Sequence, residues 1–242
     1  MRKMLAVFAA VSMLAACDGG GDSGSGGSAG SGASGGAGAS GGSGGAGTTS
    51  AGGSGGAGAT GGGGGSGGAT TSTGTGGNFA PEAVALCEVI NGYRASKGLA
   101  EVPISPALMT VAELHVGDLT DHPEIATGNC NLHSWSDGSD LWSGCCYTPD
   151  HAQAQCMWSK PAEITASFGA NQYPGYGYEI AEQGAGSPEQ ALELWKSSGP
   201  HHDVILNADI WTSYSPWPAM GCGMKGGYGV VWFGDAKDPQ SP

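Results

Sequence analysis

The spacing of hydrophobic residues after position 80 predicts a first amphipathic helix. Pro81 suits the first turn of a helix, and Gly98 suits the left-handed conformation that ends one. Between them the hydrophobic positions recur every three or four residues, at Ala83, Leu86, Cys87, Ile90 and Tyr93. The pattern indicates a helix with one face in a hydrophobic core.

Two further helices have recognisable beginnings. Ser105 and Pro106 provide a cap and a first-turn proline, and the stripe that follows consists of Leu108, Val111, Ala112, His115 and Leu119. Residues 187–190 form a Ser-x-x-Gln capping box, which opens a third helix with Ala191, Leu192 and Trp195 directed inward. Between the second and third helices, the composition of Asn129–Gly177 predicts loops held by disulfides.

The sequence also predicts three short strands. Tyr178–Ala181 is a candidate strand, and Ala219–Met224 and Tyr228–Phe233 flank a glycine turn, which is typical of a hairpin. Helices before and between a few strands, with the last two strands antiparallel, predict a compact α+β fold.

Composition divides the chain into three parts. Residues 18–77 are almost entirely Gly, Ser, Ala and Thr, with no large apolar side chain to bury, so we expect a disordered tether. Residues 78–242 are enough for one domain that folds without a partner subunit. Residues 1–17 have two positive charges, an apolar run too short to span a bilayer and a cysteine at the end, which together predict a signal peptide.

The segment Leu14-Ala15-Ala16-Cys17 resembles the bacterial lipobox, in which the cysteine is lipidated and the chain is cut before it. This predicts an exported protein of the bacterial cell envelope, held by acyl chains on Cys17, either displayed at the surface or in the periplasm. The alternative is an ordinary secretory signal with an incidental cysteine.

The net charge of the domain disfavours some classes of binding partner. Residues 78–242 contain six basic and nineteen acidic side chains, a net charge of −13. Such a surface disfavours nucleic acid and repels anionic lipid head groups, so any membrane attachment should depend on Cys17 alone.

Six cysteines remain for the domain: Cys87, Cys130, Cys145, Cys146, Cys156 and Cys222. An even number in an exported domain predicts three disulfides, with adjacent Cys145 and Cys146 bonded to different partners. A zinc site is the weaker alternative, because no C-x-x-C motif occurs.

Several motifs, taken in order, resemble the CAP superfamily of cysteine-rich secretory, antigen 5 and plant pathogenesis-related proteins, also called the SCP domain. They are Asn91-Gly-Tyr-Arg94-Ala with Gly98-Leu99, Cys130-Asn-Leu-His133-Ser134, Gly177-Tyr-Glu179-Ile-Ala181, the run from Trp195 through His201 to Asn207, and the closing Met220–Gly223 and Val230–Phe233. The resemblance covers residues 80–235.

The resemblance implies a sheet of three antiparallel strands between helices, with a cleft lined by histidines and acidic residues. Transferred to this chain, the cleft residues are His133, Glu179 and His201, with Ser198 where other members have a second acid. Glu179 stands one place later than the family glutamate, which would fall on Tyr178, so a bulge would be needed to keep its carboxylate in the cleft.

The resemblance implies binding of sterols, lipids, metals or protein partners, with no agreed catalytic activity and no cofactor required. Two neutral imidazoles, His133 and His201, form half of a zinc site, which Glu179 or water can complete as a weak one, and its affinity should fall as pH drops through about 6.5. The alternative is that they only hydrogen-bond within a polar network. A hydrolase using Ser134 or Ser198 is the second hypothesis for function, although neither lies in a nucleophile motif.

The remaining histidines and the loop tryptophans carry no site assignment at this stage. We interpret His115 as a buried core histidine, His202 as pointing away from the cleft, and His122 and His151 as parts of turns. Trp135, Trp142, Trp211 and Trp217 lie in predicted loops, where they either pack locally or present a face to a ligand.

Overall fold

A computed structural model of the chain describes residues 78–241. The predicted signal peptide, Cys17 and the tether lie outside the described residues. Within this range the α-helices are α1 (Pro81–Ser96), α2 (Pro106–Asp121), α3 (Ala154–Ile164), α4 (Pro188–Ser197) and α5 (Gly199–Leu206). The strands are β1 (Gly177–Gln183), β2 (Ala219–Lys225) and β3 (Tyr228–Gly234), and short 3-10 turns occupy Pro123–Ala126, Thr165–Asn171 and Asp209–Tyr214.

The helix boundaries confirm the predicted caps. The hydroxyl of Ser105 accepts the N–H of Leu108 at the start of α2, and Ser187 accepts the N–H of Gln190 at the start of α4. Gly98, just after α1, has φ +74°, a conformation that costs glycine nothing. Each of these residues satisfies backbone groups that a helix end leaves without partners.

The three strands form one antiparallel sheet in the order β1-β3-β2. β2 and β3 are joined by a two-residue turn of Gly226 and Gly227, both with positive φ, which confirms the predicted hairpin. Helices cover both faces of this sheet. The α+β fold predicted from the residue pattern, with the sheet between helices that the resemblance implies, is therefore the observed fold.

The two faces of the sheet are packed differently. On one face Gly221 lies against α2 so closely that a Cβ atom there would overlap the backbone of Leu108 and Met109. On the other face Cys222 forms a disulfide with Cys87 of α1. Because neighbouring residues of a strand point to opposite faces, Gly221 and Cys222 together fix the sheet between α2 and α1.

All six cysteines of the described residues are paired, which confirms the three-disulfide prediction. The pairs are Cys87–Cys222, Cys130–Cys146 and Cys145–Cys156. The adjacent cysteines are bonded to different partners, as expected. No thiol is left in the described residues for the alternative zinc site.

The structure differs from the sequence interpretation in two helices. The segment predicted as loops, Asn129–Gly177, contains α3, which has Pro161 inside it and a disulfide to the preceding loop at Cys156. The predicted third helix ends at Ser197, and a separate helix, α5, follows from Gly199. Gly199-Pro200 explains this break, since proline disrupts a continuing helix and suits the first turn of a new one.

The tryptophans in the predicted loops contribute to packing. Trp135, Trp211 and Trp217 are almost completely buried, and Trp142 packs against the core from its edge. Trp211 and Trp217 surround Tyr178 of β1 in one aromatic cluster. For Trp135, Trp211 and Trp217 local packing is the alternative observed, whereas Trp142 is only half-buried.

We predict that Gly221→Ala destabilises the domain by about 3 kcal/mol or more, because the added methyl group overlaps the backbone of α2. The matched control is Gly92→Ala, in an exposed part of α1 with open space around its Cβ position, which should stabilise the domain by up to about 1 kcal/mol. Urea unfolding measures both free energies. Equal midpoints for Gly221→Ala and wild type would contradict the close approach.

Candidate functional site

Glu179 lies in the middle of β1 with its side chain on the face covered by α2. β1 pairs with β3 residue for residue, and Glu179 stands opposite Trp232. No bulge compensates its one-place offset, so Tyr178 points to the other face, into the aromatic cluster. The Glu179 side chain is wholly buried, yet its carboxylate binds the predicted cleft residue His133, so the expectation that a bulge is needed for this contact was wrong.

Two histidines bind the Glu179 carboxylate, one at each oxygen. His133, in the loop after Cys130, has its Nδ1 2.8 Å from Oε2. His115 of α2 has its Nδ1 on Oε1. The sequence interpretation of His115 as a buried histidine is confirmed. The helical stripe indicates only that position 115 is buried. It does not reveal the contact of His115 with Glu179, which lies 64 residues away along the chain.

The charge of Glu179 determines which nitrogen of His133 carries hydrogen. Burial raises the pKa of a carboxyl group, but the charges and hydrogen bonds of His115 and His133 more than offset it and hold the pKa of Glu179 below its usual range. An ionised carboxylate only accepts hydrogen bonds, so Nδ1 of His133 donates. In the neutral ring, Nε2 then carries a lone pair and no hydrogen.

His201 and Ser198 lie at the start of α5, and His201 is near enough to His133 for the charge of one ring to affect the other. Ser198 immediately precedes α5 and His201 lies in its first turn, and both are buried. Burial and the nearby charge of His133 lower the pKa of His201 to about 4, so its imidazole is neutral at physiological pH. The next residue, His202, instead hydrogen-bonds through Nε2 to the hydroxyl of Tyr93 at 2.7 Å, which confirms that it points elsewhere.

Sequence reasoning missed His151 as part of this environment. Its φ of 57° and the Asp150 carboxylate, which accepts the N–H of Ala152, confirm the predicted turn. The ring is nevertheless buried, with Nδ1 3.0 Å from the hydroxyl of Tyr147 and Nε2 without a hydrogen-bond partner. Burial and the charge of His133 lower the pKa of His151. An Asp-His turn does not reveal whether its histidine is buried.

Ser134 has a structural role in this site. Its side chain is fully buried, its hydroxyl accepts the N–H of Tyr147 at 2.9 Å, and its carbonyl oxygen lies 3.0 Å from Nε2 of His115. A hydroxyl without exposed surface does not reach a substrate carbonyl. The structure therefore offers no support for Ser134 as a nucleophile.

The residues present fit a metal site with two protein ligands at most. His133 has the arrangement typical of a metal-binding histidine, with one nitrogen donating to a carboxylate and the other bare. Within residues 78–241, however, no group of three or more His, Cys, Asp or Glu side chains is arranged to hold a metal ion. Both oxygens of Glu179 are already bound by His115 and His133. A metal held by His133 and His201 would need its remaining ligands from water or a bound molecule.

A surface cavity of about 410 Å³ lies elsewhere, beside α2. It is lined by acidic residues, among them Asp118 and Asp137, together with Trp142. Asp118 is occupied by the backbone and hydroxyl of Ser136. The cavity does not include His133, Glu179 or His201, so it is distinct from the histidine site.

Comparisons with known proteins agree with the residue motifs. The profile of the cysteine-rich secretory protein family, CAP, matches residues 87–228, more than half of the chain. Two solved structures each align with 64% of the chain. One is a cysteine-rich secretory protein from Staphylococcus aureus subsp. aureus Mu50, with 15% sequence identity and a TM-score of 0.40. The other is an outer surface protein from Borrelia burgdorferi, with 16% sequence identity and a TM-score of 0.38. The alignments cover 39% of the staphylococcal chain and 91% of the borrelial one. No curated protein matched significantly.

We predict that His201 titrates near pH 4 in the folded protein and near pH 6.5 in urea. The folded-state pKa is the lower one, so this group contributes stability above pH 6.5 and loses it as pH falls towards 4, by about 3 kcal/mol in all. Histidine-selective NMR titration checks the shift. A folded-state midpoint near 6.5 would contradict the buried, neutral environment.

Proposed function

The chain belongs to the cysteine-rich secretory protein family, CAP, a family of secreted and surface proteins, and we propose that it is a binding module with its site at His133 and His201. The ligand we propose is a divalent metal ion of the kind that imidazole prefers, with zinc as the probe. The metal in turn would hold a donor group, such as a carboxylate, from a second molecule.

One observation carries this proposal: the hydrogen bond from Nδ1 of His133 to the buried carboxylate of Glu179. It leaves Nε2 of His133 as a bare nitrogen, and the carboxylate raises the basicity of that nitrogen. His201 supplies a second imidazole that stays neutral because burial opposes its protonation. Neutral imidazoles bind a divalent metal, whereas imidazolium rings repel one.

Two protein ligands make such a site weak and open. Structural zinc sites have four protein ligands, and catalytic sites usually have three. With Glu179 occupied, the remaining coordination positions are left to water or to a bound partner. This favours reversible binding, in which the metal serves as a bridge between the domain and a ligand.

No observation favours the hydrolase hypothesis over binding. Ser134 is buried and hydrogen-bonded, and Ser198 is buried beside α5. The hydroxyl of Ser134 is taken up by the N–H of Tyr147, so Ser134 lacks the free, base-activated hydroxyl of a catalytic triad.

We also propose that the module is held at a membrane by lipid on Cys17. Among residues 78–241, no helix is long and apolar enough to cross a membrane. The lipobox-like sequence ending in Cys17 and the glycine-rich segment 18–77 support an anchor and a tether of about 40–45 Å. The acidic domain itself has little attraction for anionic lipids.

Calorimetric zinc titration of the full chain tests the binding site. We expect His133→Asn to weaken zinc binding by about tenfold or more, because the asparagine amide nitrogen can replace Nδ1 as a donor to Glu179 but nothing replaces Nε2. His201→Asn should do the same. The control is His122→Ala, which removes an exposed histidine outside the site. Equal affinity in wild type and both site variants would refute the metal proposal.

The anchor is tested by Cys17→Ser. In a bacterial host we expect the variant to remain uncleaved at this position and to take up no fatty-acid label, since the thiol that receives lipid is gone. Labelling and gel mobility report on both steps. Processing and labelling equal to wild type would show that Cys17 is not the lipid attachment site.

A further inference from the structure

Glu182, near the end of β1, is a buried acid with only one hydrogen-bond partner. Its Oε2 accepts the N–H of Ala185 at 3.1 Å, and the residue is almost completely out of solvent. Its other oxygen, Oε1, is buried without a partner. A Cβ atom at Gly229, the residue opposite on β3, would lie 2.5 Å from Oε1, so this oxygen packs directly against the sheet backbone.

The elements packed around Glu182 bring no free charge to it. On its face of the sheet, β3 has Gly229, Val231 and Phe233. The residues that α4 buries are also uncharged, namely Ala191, Leu192 and Trp195. The charged residues of α4 are the exposed Glu189 and the ion pair of Glu193 with Lys196.

The charges of the other neighbouring elements have partners of their own. On α1 the one buried charge is Arg94, whose guanidinium binds Ile205 and Asn207. In the hairpin of β2 and β3, the ammonium of Lys225 lies 3.9 Å from Asp121. Burial alone raises the pKa of Glu182 to about 7, and only the N–H of Ala185 opposes this rise.

Glu182 borders a turn, residues 183–187, that has the features of a hinge. Gly184 has φ +111°, a conformation that glycine adopts readily, and its N–H binds the carbonyl oxygen of Gly227. Gly184 and Gly186 are both exposed, so the buried carboxyl group lies only a short distance along the chain from water. The turn joins β1 to α4 and α5, and thus connects the strand and the helix that carry parts of the histidine site.

We propose that Glu182 is a pH-sensitive switch for this turn. While the acid is protonated, it stays buried against Gly229 and holds the N–H of Ala185, and the turn is closed. An ionised carboxylate needs donors for both oxygens, and the buried position supplies one, so ionisation favours an open turn in which the carboxylate reaches water. This role goes beyond the proposed function and does not depend on a metal at His133 and His201.

The direction of the pH effect follows from the two states of the turn. The pKa of Glu182 is about 7 in the closed turn, against an ordinary value of 4.5 for an exposed glutamic acid. The closed turn is therefore favoured most below pH 4.5 and loses this advantage as pH rises through 7. Between pH 5 and pH 8 the ratio of open to closed turns should rise about 70-fold.

Two NMR measurements on the full chain, free of metal, test the proposal. Carbon-13 titration of the Glu182 carboxyl group should give a midpoint near 7. The hydrogen-exchange protection of the Ala185 amide, corrected for the intrinsic effect of pH, should fall about 70-fold from pH 5 to pH 8. A carboxyl midpoint near 4.5, or protection of Ala185 that does not change with pH, overturns the proposal.

A matched pair of variants assigns the effect to Glu182. Glu182→Gln keeps an oxygen that accepts the N–H of Ala185 but cannot ionise, so its protection at pH 5 and pH 8 should agree within about twofold. Glu189→Gln removes an exposed carboxyl group from the first turn of α4 and should keep the pH dependence of wild type. A wild-type fall in protection in folded Glu182→Gln refutes the role of Glu182. The wild-type measurements decide the proposal even if Glu182→Gln does not fold.

Discussion

A buried carboxylate must have a donor for each of its oxygens, and at Glu179 this requirement connects three separate parts of the fold. His115 comes from α2, His133 from the disulfide-bonded loop, and Glu179 from the edge strand β1. Each partner therefore constrains the other two. The orientation of His133, and with it the chemistry offered to a ligand, follows from a charge that never meets solvent.

The disulfides and the close packing of the sheet make this arrangement possible. Cys130–Cys146 closes the loop that contains His133, and Cys145–Cys156 joins the same region to α3. Without such links, a loop of this irregular composition would have to offset the entropy of ordering by burial alone. At Gly221 the absence of a side chain lets α2 approach the sheet closely enough for His115 to reach Glu179.

Local rules predicted much of the fold and only part of the site. Ser105 and Ser187 identified helix starts because capping depends on a few adjacent residues. α3 was missed because its sequence contains Pro161 and its place is fixed by a disulfide. His115 was assigned to the core without its partner, because no local pattern relates it to Glu179. His133 and His201 were identified only through ordered motifs resembling a known family.

The most direct test of the account is a crystal structure of the protein soaked with zinc, measured with anomalous diffraction at the zinc edge. The account predicts a peak bonded to Nε2 of His133 and to His201, with Nδ1 of His133 still bound to Glu179 and His115 still on the other oxygen. A peak coordinated by Glu179 itself, or zinc bound only at other residues, would contradict it.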